Sequence, residues 1–143
     1  MRLSSALFAA MAGLCLLMTI QTAQAAENND LEFLLDAIAR VESNNNPDAV
    51  GDNGRAIGSY QIHRRYWQDG IRILGVDWKY RDARDPHKAR RVVRAYLRYY
   101  GKGKSLLDMA RIHNGGPNGH RKRATLAYSR KVETILENAT QTS

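Results

Sequence analysis

The chain has 143 residues, 43% hydrophobic, 25% charged and 8% aromatic, which fits one globular domain and excludes two full domains or a disordered chain. Its 22 Lys and Arg outweigh 14 Asp and Glu, and the formal charge of +8 draws it to polyanions such as nucleic acid, anionic lipid or bacterial wall. A single cysteine excludes a disulfide framework and a Cys-based zinc cluster.

The first stretch has the form of an address. Arg2 gives a basic start, Ala6 to Ile20 is an uncharged apolar run, and Ala23-Gln24-Ala25 is a small-x-small cleavage pattern. The run is shorter than the roughly 20 residues a spanning helix needs, so export with cleavage after Ala25 is expected rather than a permanent anchor. Leu14 precedes Cys15, where a lipidation box has a small residue. Cleavage removes Cys15 and leaves 26–143 as one helix-rich domain held by its core alone.

Within that domain, Asn29 with Glu32 three positions on reads as a capping box. The helix after it runs from Leu31 to about Glu42, with Leu31, Leu34, Leu35 and Ile38 on one face. Asn44 to Gly58 is rich in turn formers, and Asn53-Gly54 predicts a tight turn in a short hairpin or irregular sheet that Ser59 to Ile62 continues. Asp85-Pro86 opens a second helix as cap and first-turn proline, ended by Gly101. Ala89, Val92, Val93, Tyr96, Leu97 and Tyr100 form its apolar stripe, opposed by Arg91, Arg94 and Arg98. Ser105 with Asp108 starts a short helix that Asn114-Gly115-Gly116-Pro117 stops, and a last helix runs from about Ala124 to Leu136.

Glu42 breaks the pattern. At 100° per residue it falls in the middle of the stripe of Leu31, Leu34, Leu35 and Ile38. Burial and a helix C-terminus both disfavour an ionised carboxyl, and a carboxyl kept protonated is what a general acid needs to donate to a leaving oxygen. The alternative is a helix that frays at Ser43 and turns Glu42 to water.

The neighbours of Glu42 carry a resemblance. Glu42-Ser43, Asn46-Pro47-Asp48-Ala49, Gly54 and Gly58-Ser59-Tyr60-Gln61-Ile62 resemble the signature of soluble lytic transglycosylases. His113-Asn114-Gly115-Gly116-Pro117 is similar to a segment of invertebrate-type (destabilase-like) lysozymes, and Tyr128 with Lys131-Val132 to the ending common to both. The resemblance spans about Leu31 to Leu136 and implies a mainly α, α+β lysozyme-like fold: a helical domain with a small β-hairpin or irregular sheet beside the active-site cleft.

It further implies that Glu42 protonates the glycosidic oxygen, and that Ser43, Gln61, Asn114 and Tyr128 line the cleft and orient Glu42 or the sugar's acetamido group. Tyr60 and His113 join them as substrate-binding candidates. Each has a plainer alternative: Ser43 as a helix-end hydrogen bonder, Gln61 as a solvated strand residue, Asn114 as a turn former, and Tyr128 and His113 as packing residues.

Glycoside hydrolysis usually needs a second carboxylate. Asp52, at the turn Asp52-Asn53-Gly54, is the candidate, close to where invertebrate-type lysozymes carry their catalytic Asp. Asp48 is its rival, and an Asp bonding its own turn is the plain alternative. Asp52 and the His113 segment favour hydrolysis of the β-1,4 bond between N-acetylmuramic acid and N-acetylglucosamine. The Asn46-Pro47-Asp48-Ala49 segment favours a lytic transglycosylase that forms 1,6-anhydro ends with Glu42 alone. The absence of cysteine after Ala25 departs from the disulfide-dense invertebrate-type pattern and points to a bacterial relative.

Arg90, Arg91, Arg94, Arg98, Lys102 and Lys104, with His120-Arg121-Lys122-Arg123, make strongly basic surfaces. Nucleic acid would suit that charge, but an export signal removes the chain from most of it, and wall glycan with its acidic peptide stems accounts for the same charge. A non-catalytic cationic wall-binding module is the remaining reading. The expectation is an exported, periplasmic or secreted monomer that acts on peptidoglycan strands. It uses no cofactor or metal, binds no nucleic acid and has no stable membrane insertion after signal cleavage.

Overall fold

The computed structural model describes residues 4–141. Its backbone is helical from Ser4 to Ser43 (α1), and the chain divides into two compact units, one reaching to Glu32 and the other starting at Phe33. In the first, Leu16, Leu17, Met18 and Ile20 are all more than half exposed. Among the described residues no helix is long and apolar enough to cross a membrane. Arg2, the basic start of the expected leader, lies outside the described residues.

Asn29 caps nothing. The helix already runs through it, because the alanine-rich segment upstream contains no proline and favours helix strongly. A helix continued from there supplies the backbone partners that a capping box would otherwise provide.

The second unit is helical with one small sheet. After α1 come three two-residue strands, β1 (Val50–Gly51), β2 (Ala56–Ile57) and β3 (Ile62–His63), paired antiparallel in the order β1-β2-β3. The register sets Gly51, Ala56 and His63 in one row and Val50, Ile57 and Ile62 in the next. Side chains alternate between faces along a strand, so Ala56 and Ile57 turn to opposite sides. Asp52–Gly54 forms a 3-10 turn between β1 and β2, where the sequence placed its tight turn.

The helices α2 (Arg64–Leu74), α3 (Pro86–Tyr100), α4 (Leu106–Gly115) and α5 (Leu126–Thr140) follow, with 3-10 turns at Tyr80–Arg84, Gly119–Arg121 and Arg123–Thr125. Asp85 caps α3 by accepting from the His87 and Lys88 amides, with Pro86 in the first turn. Ser105 caps α4 by accepting from the Asp108 amide at 3.2 Å. Both match the sequence expectation, since a cap is a bond between near neighbours.

The core joins Leu34, Leu35 and Ile38 of α1 to Ile62, Trp67 of α2, Val92, Val93 and Leu97 of α3, Ile112 of α4 and Val132 of α5, all fully buried. Each such side chain contributes about 1.5–3 kcal/mol. Gly58, with φ +79°, brings the sheet against the Tyr80–Arg84 turn; a Cβ there would stand 2.1 Å from the Ala83 carbonyl oxygen. The Tyr80 hydroxyl clamps the same junction, 2.7 Å from the Ile62 carbonyl and 2.9 Å from that of Arg55.

Candidate active site

Glu42 ends the buried stripe of α1, and its side chain keeps 17% of its exposure. It faces inward across the helix bundle. Its Oε1 lies 3.5 Å from Nε2 of His113, a side chain only 4% exposed. That nitrogen is also 3.2 Å from the Tyr60 carbonyl, while Nδ1 is 3.1 Å from the Tyr66 hydroxyl. With two oxygen acceptors before it, Nε2 carries the proton, and Nδ1 accepts from Tyr66.

Two phenols complete this lining. Tyr66 stacks on Tyr96 with ring centroids 3.7 Å apart. Burial first, then the charges of Tyr96 and Glu42, hold its pKa well above the usual tyrosine value. Tyr128 stacks against His113 at 6.4 Å. Burial, the Glu42 charge and a hydrogen bond to Glu42 raise its pKa as well. That contact is poorly aligned: the buried Tyr128 hydroxyl finds no well-formed hydrogen-bond partner, so it faces Glu42 without being saturated.

The opposite wall comes from the sheet. Glu42, Asp52, Ala56, Gln61, Ile62, His63, Tyr66, His113 and Asn114 line one cleft of about 270 Å³. Asp52, with φ +47°, receives the Arg55 guanidinium on Oδ1 at 2.7 Å and has His63 Nε2 3.4 Å from Oδ2. Gln61 is also left-handed at φ +47°, a conformation that costs a non-glycine residue about 1–2 kcal/mol. Its main-chain and side-chain amides both donate to the Gly58 carbonyl, at 3.0 and 3.1 Å, which holds it there.

A second hollow of about 590 Å³ shares His63, Tyr66, His113 and Asn114 with the first and continues past Arg65, Gln68, Asp69, Tyr96, Gly116 and Pro117. Together they make an elongated groove with a carboxylate on each wall at one end.

Of the residues picked from sequence, Glu42, Asp52, Gln61, His113 and Asn114 therefore meet in one cleft. Three others stand outside its lining. Ser43 is committed to the helix end: its hydroxyl donates to the Ser59 carbonyl at 2.9 Å and accepts from the Asn46 amide at 3.0 Å. The Tyr60 ring is buried and its hydroxyl meets Arg90 at 3.3 Å, so only its carbonyl touches the site, through His113. Tyr128 lies behind Glu42. The rival carboxylate Asp48 stays at the surface, beside Arg84. Tyr66 and His63 line the cleft without having been assigned to it. Nothing in the residues beside Tyr66 marks a partner 47 positions away.

The sequence model of the destabilase family matches residues 32–135. A lysozyme of Ostrea edulis is 41% identical over 87 residues, 57% of this chain and 62% of that protein. Lysozyme 1 of Crassostrea virginica is 39% identical over 85 residues, 57% of this chain and 45% of that protein. The match thus spans less than two thirds of the length of either relative. A chain from the crystal structure of Aeromonas hydrophila PliI in complex with Meretrix lusoria lysozyme superposes with a TM-score of 0.62 at 30% identity, covering 72% of this chain and 88% of that chain. The fold is lysozyme-like, and the chain belongs to the destabilase family.

Proposed function

We propose that this destabilase-family chain is an exported muramidase that hydrolyses the β-1,4 bond between N-acetylmuramic acid and N-acetylglucosamine in peptidoglycan. Glu42 acts as general acid and Asp52 as the second carboxylate. The observation that carries this reading is the shared cleft: two carboxylates from separate elements, set among the hydrogen-bonding side chains of Gln61, His63, Tyr66, His113 and Asn114.

Glu42 donates its proton to the glycosidic oxygen as the bond to the anomeric carbon breaks. The carboxylate left behind meets the Nε2–H of His113 and the Tyr128 hydroxyl, which its raised pKa keeps in the donor form. Asp52, held by Arg55 and reached by His63, faces the positive charge that develops on the sugar. Water then supplies hydroxide to the anomeric carbon and returns a proton to Glu42. Gln61 and Asn114 offer amides to the sugar without ionising, so they orient substrate at no cost to the acid's protonation. The named lysozymes among its relatives and the apolar leader support the substrate and the export.

The test uses Glu42→Gln and Asp52→Asn against purified wall. Glu42→Gln is expected to lose at least about a hundredfold in turbidity clearing while still sedimenting with wall, and Asp52→Asn to lose a comparable factor. Mass spectrometry of the released strands should show reducing ends. Clearing by Glu42→Gln at the parent rate would remove Glu42 from the mechanism. Anhydro ends, one water lighter, would convert the reading to transglycosylation.

A further inference from the structure

The small sheet borders two hollows. Ala56, Ile62 and His63 line the cleft, while Ile57, next to Ala56 on β2, borders a separate concavity of about 460 Å³ with Arg64, Lys79, Tyr80, Arg81 and Arg84. Four of its six lining residues are cationic, and none is acidic. The acids nearby act from its edges. Asp77 pairs with Lys79 at 3.1 Å and is 90% exposed, and Asp48 stands 3.9 Å from Arg84 at 87% exposed, so both pairs are weak and screened. Asp82 is occupied by Lys88 at 3.2 Å. The concavity is net positive, and the Tyr80 clamp to the Ile62 and Arg55 carbonyls fixes it to the sheet.

Its aromatic faces are already taken. Arg64 covers the Tyr80 ring at 4.6 Å, and the neighbouring Trp78 ring is covered by Lys88 and Arg91 at 5.6 and 5.0 Å. A nucleic acid gains much of its affinity by stacking bases on open rings, and none is offered here. What remains are the guanidinium groups of Arg64, Arg81 and Arg84, each a planar fork of donors that suits carboxylate and phosphate oxygens.

We propose that this concavity is an anion site for the carboxylates of the peptide stems on a glycan strand lying in the neighbouring cleft. The inference rests on the peptidoglycan reading above and adds a second, non-catalytic contact to it. The site grips the strand by its peptide branches while the cleft takes its sugars, so stem-bearing wall is held more tightly than bare glycan.

The experiment compares the full chain with Arg64→Gln/Arg81→Gln, and with Arg81→Lys as the charge-conserving control. Binding is measured to soluble peptidoglycan strands, to the same strands stripped of stems by an amidase, and to a glycerol-phosphate polymer. The parent is expected to bind stem-bearing strands about tenfold tighter than stripped ones. The double variant should lose that advantage yet bind and cut stripped strands as the parent does, while Arg81→Lys keeps most of it. An undiminished advantage in the double variant overturns the proposal, and so does a preference for the phosphate polymer over stem-bearing strands. Failure of the parent to cut either strand overturns the muramidase reading instead, and the binding comparison still judges the concavity on its own.

Discussion

At the scale of single residues, the imidazole of His113 organises the site. Its two nitrogens join β3's approach, through the Tyr60 carbonyl, to α2, through the Tyr66 hydroxyl, and the Nε2 edge is what Glu42 meets. Tyr66→Phe takes the hydroxyl proton from Nδ1 and leaves a buried acceptor unpaired, at a cost of about 1–3 kcal/mol. Tyr128→Phe removes a hydroxyl that lacks a well-aligned partner, so its change in stability stays within about 1 kcal/mol. Both variants should slow wall clearing, because both change what the Glu42 carboxylate faces after proton transfer. Urea unfolding and turbidity assays on the pair check this. In Tyr66→Phe, the proton should stay on Nε2, which the Tyr60 carbonyl and Glu42 still face, while the Nδ1 shift should report the loss of its hydrogen bond. Equal stability losses for the two variants would refute the difference between a bonded and an unsaturated hydroxyl.

Elements come next, and α2 is one that the sequence reading passed over, naming no element between Ile62 and Asp85. Its apolar side was there to be read, since Trp67, Gly70, Ile71 and Leu74 recur at helical spacing, but no cap at its start and a glycine in its middle mark it less plainly than α3 or α4. The glycine is a packing device: a Cβ at Gly70 would stand 2.4 Å from Val92 Cγ1 on α3, so its absence lets the two helices approach. Gly70→Ala is expected to cost about 1–3 kcal/mol through overpacking. Combined with Val92→Ala it should cost less than the two singles together by at least about 0.5 kcal/mol; strict additivity would show that the helices do not meet at this point. The caps of α3 and α4 were legible because their chemistry spans two or three residues. So were Glu42, Gln61, His113 and Asn114, which lie in ordered motifs. The start of α1 was misread because a good local cap at Asn29 loses to a helix already propagating from upstream. Tyr60 was misplaced because a motif identifies which residues gather but not which atoms they turn toward the cleft. In its case that is a carbonyl, with the hydroxyl given to Arg90.

On the scale of the whole molecule, every helix of the second unit contributes to one cluster: Glu42 from α1, Tyr66 from α2, Tyr96 from α3, His113 from α4 and Tyr128 from α5. The site therefore exists only while the bundle is intact, and the tyrosines tie that integrity to pH. Burial raises the pKa values of Tyr66 and Tyr128 above the ordinary 10.0, so the native state keeps their protons where the unfolded chain has released them. The unfolded state then binds fewer protons, and stability falls as pH rises. Below pH 10 this contribution is fully present; above it, each tyrosine removes up to about 1.4 kcal/mol per pH unit. Urea midpoints followed from about pH 9 to 11.5 should bend downward past pH 10, and wall clearing should be lost with them. Tyr128→Phe should bend less steeply by about one tyrosine's share, crossing above the parent at the alkaline end. Parallel curves for parent and variant would mean that the Tyr128 phenol ionises in the folded state, and that the pocket behind Glu42 is far more open to water than its burial indicates.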